Sequence, residues 1–150
     1  MTRTFAEILL FALLAINAAL LIFIAGVLRK VMNDMDEAAF KQFVVSLVHH
    51  STKSPFMVTV LTIPFFGAIP YFYFFGFGNR WMLAGLALWL VAGGLGKTMK
   101  LPIFKAVATL AAGDVARLRE VRQKLNAGNA LQAILNSAAA LLALVSFVGR

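Results

Sequence analysis

The sequence predicts an all-α membrane protein, a bundle of four transmembrane helices with short amphipathic helices on its cytoplasmic side. Three observations carry that expectation. Apolar residues make up 61% of the chain and charged residues only 13%, with a mean hydropathy of +0.87, which lies outside the range of soluble globular domains. Four apolar stretches, about 6–28, 55–77, 81–97 and 129–148, approach the roughly 20 helical residues that cross a hydrocarbon core about 30 Å thick. Basic residues gather in two of the three connections between those stretches. At 150 residues the chain is expected to be a single four-helix transmembrane domain.

The first stretch resembles a signal peptide only superficially. Its apolar run is about twice as long as a signal's hydrophobic region, and Glu7 accompanies Arg3 ahead of it, so it reads as a retained first helix. Arg29 and Lys30 are expected to end it. Asp34 with Glu37 three residues later has the spacing of a capping box. The stretch that follows carries Phe40, Phe43, Val44 and Leu47 at helical spacing, with Lys41 and Gln42 facing elsewhere. Two readings stay open: an amphipathic helix lying in the cytoplasmic interface, or the first turns of the second span extended below the membrane.

Ser54-Pro55 opens the second span, and Pro64 and Pro70 lie inside it. A proline there frees a carbonyl, which a membrane helix tolerates when a neighbour satisfies it. The aromatic run Tyr71–Phe75 and Trp81 form a belt at the outer interface, around a tight turn at Gly76–Arg80. Small residues on the third span, Gly85 and the pair Ala92 and Gly96, predict close helix approach. So do Ala133 with Ser137 and Ala139 with Ala143 on the fourth. Lys97 and Lys100 are expected to snorkel to the surface. Pro102 predicts a break or kink, Gly113-Asp114 an end and a new cap, and Gly128 a helix stop before the last span. Between those points Val115, Leu118 and Leu125 predict the apolar face of a separate cytoplasmic helix.

Of the 14 Lys and Arg residues, all but Arg3, Arg80 and Arg150 lie in or beside the connections 29–54 and 98–128. Basic residues flanking membrane helices favour the cytoplasmic side. Both termini are therefore expected on the non-cytoplasmic side, of a bacterial inner membrane. The formal net charge of +8 is explained by that distribution, so no nucleic-acid partner is expected. The partners expected are the lipid bilayer itself, with anionic lipids against Arg117, Arg119, Arg122 and Lys124, and a homo-oligomer or larger membrane complex. Cysteine is absent, which excludes disulfides, thiolate metal sites, iron–sulfur clusters and cysteine catalysis.

Gly96-Lys97-Thr98 has the ending of a phosphate loop, but Val91 stands where the pattern needs glycine. Gly76-Phe77-Gly78 is a lone turn and carries no dinucleotide signal. His49 and His50 are the only histidines. Neighbours on a helix project about 100° apart, so they cannot clasp one metal together. They are weak metal candidates, with haem as the weak cofactor candidate, no cofactor being firmly implied; the commoner role is an interfacial polar residue. Asn17 and Asn136 lie in mid-membrane, where unpaired amides are costly. They predict either packing contacts, including one with each other, or the lining of a polar cavity. Glu7 reads as a shallow, hydrated carboxylate that lacks a basic partner at similar depth.

The run from Trp89 to Leu95, then Thr98, Leu101-Pro102, Ala112-Gly113-Asp114, Arg119, Arg122, Asn126 and Asn129 resembles the anthrone-oxygenase-like family of small four-helix membrane proteins. The resemblance covers the C-terminal half, and the N-terminal half in outline. It departs where Ile103-Phe104 stand at a position that is often asparagine in the family. It departs again where Gln132 replaces an arginine at the entry to the last helix. Fungal relatives in that family are implicated in oxidising polycyclic anthrones, so the resemblance implies an oxygenase-like activity on a small molecule. Three functions are carried forward. The first is binding or oxidation of an apolar aromatic or lipid-like molecule at the cytoplasmic end, with His50, Arg122, Asn126, Asn129, Asn17 and Asn136 as candidate substrate-binding residues. The second is a non-catalytic accessory or structural subunit. The third is a small proton-coupled transporter using Glu7.

Overall fold

The computed structural model describes residues 2–148. Among them the chain forms five helices and no strand: α1 (Arg3–Asp34), α2 (Glu37–Lys53), α3 (Pro55–Phe75), α4 (Arg80–Thr109) and α5 (Val115–Val148). All but α2 are long and apolar enough to cross a membrane. α5 packs along both α4 and α1, and α1 also packs against α3, while α2 lies against α3, α4 and α5.

α1 starts at Thr2, whose hydroxyl accepts the Phe5 N–H at 3.3 Å. Its buried stripe, Ala6, Glu7, Leu10, Leu14, Asn17, Ala18 and Leu21, has the three- and four-residue spacing of one helix face. Arg29 and Lys30 do not end this helix. It widens into a π turn at Ile24–Leu28 and continues to Asp34, which buries Met32 in the core. The chain breaks instead at Met35 and Asp36, both extended. Asp36, not Asp34, is the cap of α2, accepting the Ala39 N–H at 2.8 Å. Phe40 and Val44 anchor α2 on Met32, Val107 and Leu125. Ser54 separates α2 from α3, with Pro55 in the first turn where its missing N–H is harmless. α2 is therefore a helix of its own rather than an extension of the second span.

Two other predicted breaks are absent. α4 runs through Pro102, and α5 runs through Gly128 without interruption. Packing explains both. Val107, beyond the proline, is fully buried against α2. Gly128 lets the aliphatic stem of Lys100 pass 3.8 Å from where a Cβ would stand. The predicted cytoplasmic helix and last span are thus one 34-residue helix.

The small residues do bring α4 and α5 together. A Cβ on Gly85 would lie 2.8 Å from the Ala139 carbonyl oxygen and 3.2 Å from the Ala143 nitrogen, so only glycine fits at this spacing. Ala92, Ala139 and Ala143 are fully buried. Gln132 fills the space over Gly96 and donates to the Ala92 carbonyl at 3.2 Å.

The core has two parts. One joins Leu10, Leu14, Tyr71, Met82, Leu86 and Ala143 at the end holding the start of α1 and the turn between α3 and α4. The other surrounds Phe40 and Met32 at the opposite end, where most of the basic residues collect. These are called the far end and the basic end below.

Candidate functional site

At the basic end the corner between α1 and α2 arches over one face of α5 and leaves an open cavity of about 950 Å³. Its α5 wall presents Arg119, Arg122, Gln123 and Asn126; its other wall is formed by Arg29 and residues 33–37. Spacings of three, four and seven along α5 put Arg119, Arg122 and Asn126 on one helical face, which continues the stripe that buries Leu118 and Leu125.

Each of these side chains holds part of the arch. Arg119 Nε donates to Glu37 Oε1 at 2.7 Å, and this bond holds the Glu37 carboxyl below its ordinary pKa. Arg122 donates through Nη2 to the Asp36 carbonyl at 3.3 Å. Its guanidinium carbon stands 4.5 Å from the centre of the Phe40 ring, a cation–π contact. Asn126 donates to Asn33 Oδ1 at 3.0 Å. Lys41 closes the neighbouring helix end by donating to the Leu110 carbonyl.

On the side chains that line this cavity, two buried polar atoms have no hydrogen-bond partner among the described residues. Arg122 and Asn126 are each 9% exposed, and Arg122 Nε and Asn126 Oδ1 are buried and unbonded. A buried donor or acceptor left unbonded costs about 1–3 kcal/mol, and such atoms call for an explanation such as a ligand or water. Both side chains line the cavity.

Of the six predicted binding residues, the structure brings only Arg122 and Asn126 together at this cavity. Asn129 is buried one turn further along α5, outside the lining. Asn136 donates to the Gln132 carbonyl of its own helix at 2.8 Å. Asn17 donates to the Leu13 carbonyl at 3.2 Å and to the Val60 carbonyl of α3 at 2.6 Å. The Val60 carbonyl is the one that Pro64, lacking an N–H, leaves open four residues on. Asn17 therefore repairs the proline site rather than pairing with Asn136. His49 and His50 are exposed on α2; His49 sits 3.2 Å from Lys53 Nζ, and neither ring lines the cavity. Haem needs an imidazole facing an enclosed pocket, and these exposed rings do not fit it. Lys100 is turned to the Gln132 side-chain oxygen.

The far end holds a second polar cluster that the sequence reading missed. Glu7 is fully buried, not hydrated, and it does have a basic partner. Its Oε1 accepts from Tyr71 Oη at 2.7 Å, Asn79 Nδ2 at 2.8 Å and Arg3 Nε at 3.0 Å. Asn79 also donates to the Ser146 carbonyl at 3.3 Å, while its own oxygen caps α4 at the Met82 N–H. One carboxylate and one amide thus tie α1, α3, α4 and α5. The spacing of Arg3 and Glu7, four residues apart on one helix, was the available signal. Nothing local pointed to Tyr71 or Asn79.

No family model, curated protein or solved structure matches the chain.

Proposed function

We propose that this protein is an integral membrane protein that binds an apolar aromatic or lipid-like molecule at the basic end of its bundle. The polar group of that molecule would be held by Arg122 and Asn126. The observation that carries the reading is the pair of buried, unbonded atoms, Arg122 Nε and Asn126 Oδ1, on the wall of the 950 Å³ cavity. Four long apolar helices support the membrane setting. The basic end facing the cytoplasm, with both termini opposite, follows from the positive-inside rule. The resemblance of the C-terminal half to anthrone-oxygenase-like proteins makes oxidation of the bound molecule the reaction to assay.

Native mass spectrometry of the full chain, gently extracted from membranes, tests the reading. A retained small molecule or lipid is expected on the wild type and on His50→Ala. It should be lost from Arg122→Ala and from Asn126→Ala. Retention that neither substitution alters overturns the proposal.

A further inference from the structure

We propose that the polar group recognised at this cavity is an anion with a hydroxyl beside it, an inference that rests on the binding site described above. The sign of the charge follows from Arg122. The residue is nine-tenths buried, and among the described residues no carboxylate oxygen lies within 4.0 Å of its side-chain nitrogens. It rests on an aromatic face and one backbone carbonyl, neither of which neutralises it. A buried charge without a counter-ion is costly, and a bound anion supplies one.

The acidic residues of the cavity do not supply it. Glu37 is paired with Arg119 and acts on Arg122 only through space, the weakest of the influences that lower its pKa. The Asp36 carboxylate caps α2, and Asp34 and Asp36 are both exposed at the solvent edge. The inner wall is therefore positive even though the lining as a whole contains three acids and three arginines.

The hydroxyl follows from Asn126. Its amide nitrogen is occupied by Asn33, which leaves the buried carbonyl oxygen without a donor on a side chain that lines the cavity. It lies four residues, one helical turn, beyond Arg122, where side chains on the same face stand about 5–6 Å apart. A ligand meeting both presents an ionised group to the arginine and an O–H donor to the amide. A membrane phosphate diester with glycerol hydroxyls has this chemistry, and so does a free aromatic hydroxy acid.

The test uses the full chain in detergent and in nanodiscs. In detergent, affinities for 4-hydroxy-2-naphthoate, its methyl ester and 2-naphthoate are compared by probe fluorescence. The acid should bind roughly ten- to a hundredfold more tightly than the ester, as a hydrogen-bonded ion does. That preference should vanish in Arg122→Gln and persist in part in Arg122→Lys, whose thermal unfolding reports an intact fold. Loss of the hydroxyl should weaken binding severalfold in the wild type and leave Asn126→Leu unaffected. In nanodiscs, native mass spectra should show phosphatidylglycerol retained over phosphatidylcholine in an Arg122-dependent way if the anion is a lipid headgroup; a response to the naphthoate alone identifies a soluble acid.

Acid and ester binding equally, both weakened by Arg122→Gln, would overturn the anion and keep the cavity as a binding site. An acid preference indifferent to Arg122 would also overturn it. No binding sensitive to either Arg122 or Asn126 would remove the site itself.

Discussion

At the far end, Tyr71, Asn79 and Arg3 converge on one oxygen of Glu7 from three helices, and the Ser146 carbonyl of α5 joins through Asn79. At the basic end, Arg122 and Asn126 lie on one helix and line a cavity, and each carries a buried atom with no hydrogen-bond partner. Both ends bury polar groups at comparable depth. The far end uses hydrogen bonds to fix the helices relative to one another, whereas the basic end fixes only the arch and keeps some bonding capacity for something else. Burial of a polar residue therefore does not distinguish a structural tie from a binding site. What differs is that the Glu7 cluster bonds across helices, while Arg122 and Asn126 line a cavity.

Substitutions can break this contrast, and Glu7 should give the largest effect. Glu7→Ala strands buried donors from Tyr71 and Asn79 and is expected to cost about 3 kcal/mol. For a chain of this size that corresponds to a Tm lower by roughly 6–12 °C, read by thermal unfolding in detergent. A change under about 2 °C would mean that the cluster does not tie the bundle.

Next is the middle of the bundle. Asn17→Leu leaves the Val60 carbonyl unbonded and should cost roughly 1 kcal/mol. In a Pro64→Ala background the restored N–H can satisfy that carbonyl, so the cost of Asn17→Leu should largely disappear. A double-mutant cycle with no coupling would sever Asn17 from the proline site.

Arg122→Met sharpens the comparison from the other side. It removes a cation–π contact worth about 0.5–1 kcal/mol, together with the burial cost of an uncompensated charge. Stability should therefore change by less than about 1 kcal/mol while ligand retention is lost. A large drop in Tm would make Arg122 a structural tie like Glu7.

The smallest effect belongs to the Glu37–Arg119 ion pair. The folded carboxyl titrates below its unfolded value, so its contribution is complete above the ordinary carboxylate range. It is lost as pH falls through the lowered folded value. Glu37→Gln should remove a shallow acid dependence of Tm, and added salt should do the same at neutral pH. An identical pH profile in wild type and variant would dismiss the pair.

Hydropathy alone made the four long helices legible, because a stretch such as 129–148 has few solvent-tolerant residues to place elsewhere. Close helix approach was also visible in Ala92, Gly96, Ala139 and Ala143, but not that α4 and α5 are each other's partners, since small residues do not say which helix fills the space. Breaks were harder. Pro102 and Gly128 carry the local marks of helix ends, but each sits where packing on both sides keeps the helix going. At the sites, Arg122 and Asn126 were named from the resemblance, and their shared helical face makes their proximity readable. His50 is not brought to the cavity and lies exposed on α2. The Glu7 cluster depends on partners 64 and 72 residues away, a distance that no local pattern encodes.

The unbroken α5 has one more consequence. Its 34 residues extend about 51 Å at 1.5 Å each, well beyond a hydrocarbon core of about 30 Å. With the apolar 130–148 stretch filling that core, Arg122 and Asn126 stand in the headgroup layer. On the proposed function, a ligand would then leave its tail among the acyl chains while its head enters the cavity sideways, and would reach the site by lateral diffusion within one leaflet.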